Sequence, residues 1–113
     1  MALYMAHRDE NVKKMRAYRA SHLEEERIRA RRRRYGLTKA DFEQMLNDQR
    51  GLCAIGGEPL PAVPDVEHDH ATGAVRSLVC GRHNRMIGFA RDDPRELELG
   101  IVYLKRGVGS KFI

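Results

Sequence analysis

Between residues 8 and 34 the chain contains neither glycine nor proline, and most of its residues are good helix formers. The run predicts one long helix. Its apolar positions, Val12, Met15, Tyr18, Leu23 and Ile28, are sparse and drift around the helix, so no stripe is offered to a core. Such a helix crosses to a second subunit, lies on nucleic acid, or frays when alone. The packed part of the molecule therefore has to come from residues 35–113, a small core of about 80 residues that ordinarily needs a staple. The expected organisation is a helical arm over 1–34, for DNA binding or dimerisation, and a compact core over 35–113.

Charge divides the chain at the same place. The net charge is +5, but residues 1–34 alone carry eleven Lys/Arg against five Asp/Glu, while 35–113 carry ten against eleven. All the excess positive charge thus sits in the arm. A polyanion is the simplest partner, because each phosphate neutralised releases counterions. Arg31, Arg32, Arg33 and Arg34 repel one another unless a counter-surface is present. No apolar run approaches the roughly 20 residues of a membrane span, and the first eight residues lack the apolar stretch of a secretory signal. Two cysteines without a signal argue for a reducing compartment, with the cytoplasm as the expected location.

Within 35–113 the pattern predicts an α+β, mostly helical core. Tyr35-Gly36 breaks the arm, and Thr38 caps a new helix, with Asp41 at the third position of a capping box. Phe42, Met45, Leu46 and Gln49 form its buried stripe, and Gly51 ends it. Residues 52–61 read as a short extended piece and a tight turn. Two runs around Ala71-Thr72-Gly73 then predict a β-hairpin over 66–79, followed by helical character from Cys80 to Phe89. A last helix opens with Asp93 as cap and Pro94 at its first position. Its expected buried face is Leu97, Ile101 and Leu104.

The hairpin-then-helix unit gathers the polar residues with chemistry in them. Glu67, His68, Asp69 and His70 lie on the first strand and its turn, and His83 and Asn84 enter on the following helix. Phosphodiester hydrolysis uses such a set. A neutral imidazole deprotonates the attacking water near pH 7. A hard cation such as Mg²⁺ prefers oxygen ligands, and Glu67 and Asn84 would supply two of them. Arg76, Arg82 and Arg85 lie near enough in sequence to hold DNA phosphates, or are ordinary surface arginines. A second constellation is Cys53 with Cys80 and His83, the latter two at the C-x-x-H spacing of a zinc half-site. Its other half would be Cys53-x-x-Gly56, and glycine cannot ligate. The set is an incomplete zinc site or two buried cysteines beside a surface histidine.

From Tyr35 to about Arg106 the chain resembles the phage recombination endonuclease VII family, a branch of the HNH, or His-Me finger, nucleases. Gly51-Leu52-Cys53-Ala54-Ile55 resembles the family's first cysteine knuckle. Glu67-His68-Asp69-His70-Ala71-Thr72-Gly73-Ala74-Val75-Arg76 resembles its Asp-His-Asp-His-x-Thr-Gly-x-Val-Arg core, and Leu78-Val79-Cys80-Gly81-Arg82-His83-Asn84 its Leu-Leu-Cys-x-x-Cys-Asn segment. The resemblance implies a small ββα-metal core between a basic N-terminal helix and a C-terminal helix. It implies His68 as general base and His70 as the second, supporting histidine. It also implies Glu67 and Asn84 as ligands of Mg²⁺ or Mn²⁺. Family members act on branched or distorted DNA, typically as homodimers, in phage recombination and packaging, which places them in the host cytoplasm. Three positions depart from the pattern: Glu67 stands for an aspartate, Gly56 for the second zinc cysteine and His83 for the fourth. The expectation is a DNA endonuclease, junction-resolvase-like on branched or distorted DNA or else a nickase, with Zn²⁺ held only if something compensates for Gly56. The alternative is a DNA-binding or packaging accessory protein that keeps the fold without the reaction.

Overall fold

The computed structural model describes residues 2–107 and, from residue 5 onward, their side chains. The end of the expected core, 108–113, lies outside the described residues. Four helices and one hairpin follow in the order α1 (Ala2–Tyr35), α2 (Lys39–Asp48), β1 (Asp65–His68), β2 (Val75–Val79), α3 (Gly81–Phe89) and α4 (Pro94–Arg106). The architecture is α+β and mostly helical, as the pattern predicts. The chain forms two compact units divided between Glu43 and Gln44, where the charge pattern suggests a boundary after residue 34.

In the first unit α1 is a single helix of 34 residues, roughly 51 Å long at 1.5 Å per residue. Glu10–Lys14 and Glu25–Arg29 ion pairs at i,i+4 lie along its surface, each contributing a few tenths of a kcal/mol. Val12, Met15, Tyr18 and Leu23 are exposed, as their scatter around the helix requires. Gly36, at φ +69°, ends the helix by donating its N–H to the Arg32 carbonyl at 2.9 Å. The expected capping box is present: Thr38 Oγ1 accepts from the Asp41 N–H at 3.1 Å, and Asp41 Oδ2 accepts from the Thr38 N–H at 3.0 Å.

The second unit is built on the hairpin. Leu78 and Val79 are fully buried, joined in the core by Cys53, Val66 and Ala90. The Gln49 side chain ties its own segment to β2: its Nε2 donates to the Leu78 carbonyl and its Oε1 accepts from the Leu78 N–H, both at 2.8 Å. Strands β1 and β2 are antiparallel, pairing Asp65 with Val79, Val66 with Leu78, Glu67 with Ser77 and His68 with Val75. Arg76 is therefore the extra residue of a bulge, without a partner across the ladder.

One expectation about packing is overturned. Leu97 is half-buried, but Ile101 is 50% and Leu104 77% exposed, and α4 holds no buried residue. The cap is as read, with Asp93 Oδ1 accepting from the Arg95 N–H at 3.0 Å and Pro94 opening the helix. A two-stranded hairpin and one short helix offer too little apolar surface to cover a thirteen-residue helix, so only its first turn packs. Leu99, Val102 and Tyr103 are exposed beside Ile101 and Leu104.

Candidate functional site

The hairpin turn is held by its own side chains. Asp69 Oδ1 accepts from the N–H groups of Ala71, at 2.8 Å, and Thr72, at 3.0 Å. Gly73 supplies φ +76° and donates to the Asp69 carbonyl at 2.7 Å. The Thr72 and Ala71 N–H groups hold the Asp69 carboxyl below its ordinary value. Asp69 is thus a turn builder that fixes the two histidines flanking it in sequence. The His68 and His70 rings meet edge to face, with centroids 5.0 Å apart.

Around them runs a chain of charge. Glu67 is buried, 6% exposed, and Arg76 grips its carboxylate with two hydrogen bonds, Nε to Oε2 at 2.7 Å and Nη2 to Oε1. This pairing pushes the Arg76 guanidinium further above its ordinary value. The same Nη2 lies 3.4 Å from Asp92 Oδ2, which lies 3.3 Å from His70 Nδ1. Asp92 Oδ1 is buried without a hydrogen-bond partner. Asp92 reaches this position because α3 ends in a Schellman turn: the Asp92 N–H donates to Ile87 O at 3.1 Å and the Arg91 N–H to Gly88 O at 3.0 Å, with both Arg91 and Asp92 at φ 55°. Glu67, Arg76 and Asp92 line a cleft of about 340 Å³ whose apolar walls include Ile55, Ile87 and Leu97.

Asn84 stands on α3, where its Nδ2 donates to Asp65 Oδ2 at 3.1 Å. The structure thus joins Asn84 to β1 through Asp65, two residues before Glu67. Asn84 meets Asp65, while both Glu67 carboxylate oxygens are taken by Arg76. The Glu67 carboxylate and the Asn84 amide oxygen are, by their chemistry, hard oxygens of the kind Mg²⁺ accepts. Of the arginines, Arg82 and Arg85 are exposed on α3. Arg32, Arg33 and Arg34 are exposed in the arm, whereas Arg31 is buried, its guanidinium 3.6 Å from the centre of the Phe42 ring.

Cys53, Cys80 and His83, left open in the sequence between an incomplete zinc site and two buried cysteines, lie together with a fourth residue that the spacing did not find. A knuckle closes across its neck, with the Cys53 N–H donating to the Glu58 carbonyl at 2.7 Å and the Gly57 N–H to Cys53 O at 2.9 Å. Cys80 caps α3, its Sγ accepting from the His83 N–H. Ligand atoms of Cys53, Glu58, Cys80 and His83 all lie within 4.8 Å of one another, a cluster that could hold a metal ion. Both cysteines are free thiols. Burial works to raise the Cys53 thiol, yet the backbone N–H groups of Gly56, Cys80 and Ile55 and the His83 ring bring it down to about 7. The Cys80 thiol donates to Glu58 Oε1 at 3.0 Å. That bond raises Cys80 and, with the Glu58 backbone N–H, holds Glu58 well below the usual carboxylate range.

Sequence reasoning missed Glu58, Asp65 and Asp92. Glu58 carried a faint signal, five residues beyond Cys53 across a Gly-Gly turn. Asp92 carried none, since its place depends on two consecutive non-glycine residues in the left-handed region.

Among the described residues no helix is long and apolar enough to cross a membrane. The chain is similar to two phage proteins, each called Gene 59 protein. One, of Mycobacterium phage D29, is 36% identical over 77 residues, covering 64% of this chain and 46% of the relative. The other, of Mycobacterium phage L5, is 36% identical over 75 residues, covering 62% and 44%. The chain therefore spans less than half the length of these relatives. No solved structure matches it. The family model for recombination endonuclease VII matches residues 28–106, spanning the knuckle, the hairpin and both following helices, and the chain belongs to that family.

Proposed function

We propose that the protein is an HNH-type, metal-dependent DNA endonuclease that hydrolyses phosphodiester bonds in branched or distorted DNA. Family membership supports a nuclease. The observation that carries the reading in this chain is the gathering of Glu67, His68, His70, Arg76 and Asp92 at the turn end of the hairpin.

In this reading His68 takes the proton of the attacking water, a task suited to a neutral imidazole near pH 7. His70 is oriented by Asp92 at its Nδ1, which leaves Nε2 for a phosphate oxygen. Glu67 and Asn84 would hold Mg²⁺ or Mn²⁺. When bound, the cation supplies charge stabilisation at the scissile phosphate and the leaving 3′ oxygen. Arg76 spans Glu67 and Asp92, so it keeps a partner when Glu67 turns to a cation. Arg82, Arg85 and Arg32 to Arg34 add sequence-independent attraction to phosphates. A second copy of the chain, packed on the exposed apolar side of α4, would bring two cutting centres to the two strands of a junction. The cysteine cluster takes Zn²⁺ as a staple for a small core. The setting that fits phage relatives is recombination or packaging in the host cytoplasm.

One observation favours a DNA-binding accessory protein that does not cut: Arg76 already neutralises Glu67. Cleavage of labelled linear, nicked, supercoiled and four-way-junction DNA, with Mg²⁺, Mn²⁺ or EDTA, separates the two. Cation-dependent cutting that falls by about 100-fold or more in His68→Ala, with DNA binding retained, is the expected result. Binding without cutting under every cation sinks the endonuclease reading and leaves the accessory one.

A further inference from the structure

Gly56 leaves a space beside the cysteine knuckle, and Glu58 fills it. A Cβ placed at Gly56 would lie 2.0 Å from Glu58 Oε2, 2.3 Å from His83 Cε1 and 2.8 Å from Glu58 Cδ. Any side chain at position 56 would have to take the volume now held by the Glu58 carboxylate and would press on the edge of the His83 ring. Position 56 is also where the C-x-x-C spacing from Cys53 calls for a second zinc ligand.

We propose that Glu58 is the fourth ligand of a tetrahedral zinc centre completed by Cys53, Cys80 and His83, and that its carboxylate takes over the ligand position that Gly56 cannot serve. The inference rests on reading the cluster as a zinc centre.

Three lines of geometry support it. First, Glu58 Oε1 lies 2.8 Å from His83 Nδ1 and 3.0 Å from Cys80 Sγ, and His83 Nδ1 lies 3.3 Å from Cys80 Sγ and 3.7 Å from Cys53 Sγ. Zinc bonds of about 2.3 Å to sulfur and about 2.0 Å to nitrogen or oxygen set tetrahedral ligand atoms roughly 3.3–3.8 Å apart, so small adjustments seat an ion. Second, the thiols already receive backbone support of the kind that orients metal ligands: the Cys80 N–H donates to Cys53 Sγ at 3.4 Å and the His83 N–H to Cys80 Sγ at 3.5 Å. Third, the donor set of two sulfurs, one imidazole and one carboxylate suits Zn²⁺ and not the all-oxygen preference of Mg²⁺ or Ca²⁺. A mere Glu58–His83 ion pair would account for one of these contacts, but not for two thiols aimed at the same point. With four protein ligands the centre is closed, which makes it structural and not a place for a reactive water.

The test uses the whole chain purified under reducing conditions. Zinc content is measured by elemental analysis, affinity by chelator competition, and ligand type by Co²⁺ substitution. The parental protein is expected to bind one zinc per chain. Its Co²⁺ form should show four-coordinate visible bands and a charge-transfer band from two thiolates. Since losing an outer-shell partner costs about 10–100-fold in metal affinity, Glu58→Ala, a lost ligand, should cost at least about 100-fold. Gly56→Cys alone should also bind poorly, because the new side chain meets both Glu58 and the His83 ring. Gly56→Cys combined with Glu58→Ala opens the Glu58 volume, into which the new side chain and the His83 ring can settle, and should recover affinity, with the charge-transfer band growing from two thiolates to three. Zinc bound equally by parent and Glu58→Ala, with unchanged Co²⁺ spectra, overturns the role of Glu58 and leaves the zinc centre standing. No zinc in the parental protein overturns both. A double variant that binds no better than Glu58→Ala overturns the equivalence of the two positions.

Discussion

Arg76 grips Glu67 from the one residue of β2 that the bulge leaves without a partner across the hairpin. The bulge and the ion pair are one device, since the extra residue is free to turn its side chain onto the strand opposite. The result is a buried carboxylate whose charge is neutralised by a guanidinium that stays substantially exposed.

Removing Arg76 should therefore uncover a demand for a cation. In Arg76→Ala the Glu67 carboxylate is left buried without its counter-charge, which is costly. In EDTA the variant should melt several degrees below the parent. Mg²⁺ or Mn²⁺ should restore part of that loss, because a ligand that binds only the folded state stabilises it, and should move the parent less. Adding Glu67→Gln should abolish the response. Differential scanning fluorimetry reads all three, and equal cation responses in Arg76→Ala and the double variant would remove Glu67 from the cation site.

The core is small enough for one side chain to matter. Leu78 is fully buried and its backbone is held by Gln49. Leu78→Ala should cost about 2–5 kcal/mol, against less than about 0.5 kcal/mol for Leu104→Ala on the exposed side of α4 in the monomer. Urea unfolding at low protein concentration measures both, and comparable costs would contradict the packing described.

What could be read from the sequence is what local chemistry dictates. Thr38 with Asp41, Asp93 with Pro94, and Gly73 in the hairpin turn each act within a few residues, and each is where the pattern puts it. Burial of α4 could not be read the same way. Apolar spacing shows that Ile101 and Leu104 share a face, not that another element stands opposite. Glu58 was hidden because zinc spacing directs attention to position 56, whereas the knuckle brings position 58 to the same space. Asp92 and Arg76 reach the site through a left-handed helix end and a bulge. Neither feature contains the glycine that would have announced it.

Asp69 predicts the acid limit of the turn. Its carboxyl is held below its ordinary value by the Thr72 and Ala71 N–H groups. The sign follows from linkage: a depressed folded-state value gives stability that is fully present above the unfolded value, about 3.9, and is lost as pH falls through the folded one. Asp69→Asn keeps an acceptor oxygen but not the charge. The stability difference between parent and variant should be flat from about pH 8 to pH 5 and should shrink below about pH 4. Chemical denaturation across that range checks it, and a difference that persists undiminished at the acid end would assign the bonds no dependence on charge.

The four consecutive arginines should separate into two kinds. Arg31 is buried with its guanidinium over the Phe42 ring, an arrangement worth about 0.5–2 kcal/mol. Arg33 is exposed and free to meet phosphate. Arg31→Gln should therefore lower stability by about 1 kcal/mol and leave the salt dependence of DNA binding nearly unchanged. Arg33→Gln should leave stability within about 0.5 kcal/mol and reduce the slope of log K against log salt by about 0.9, the counterion release of one duplex phosphate contact. Thermal melts and binding titrations at three salt concentrations give both numbers for both variants. If the effects fall the other way round, Arg31 belongs to the DNA-facing set and its stacking on Phe42 is incidental.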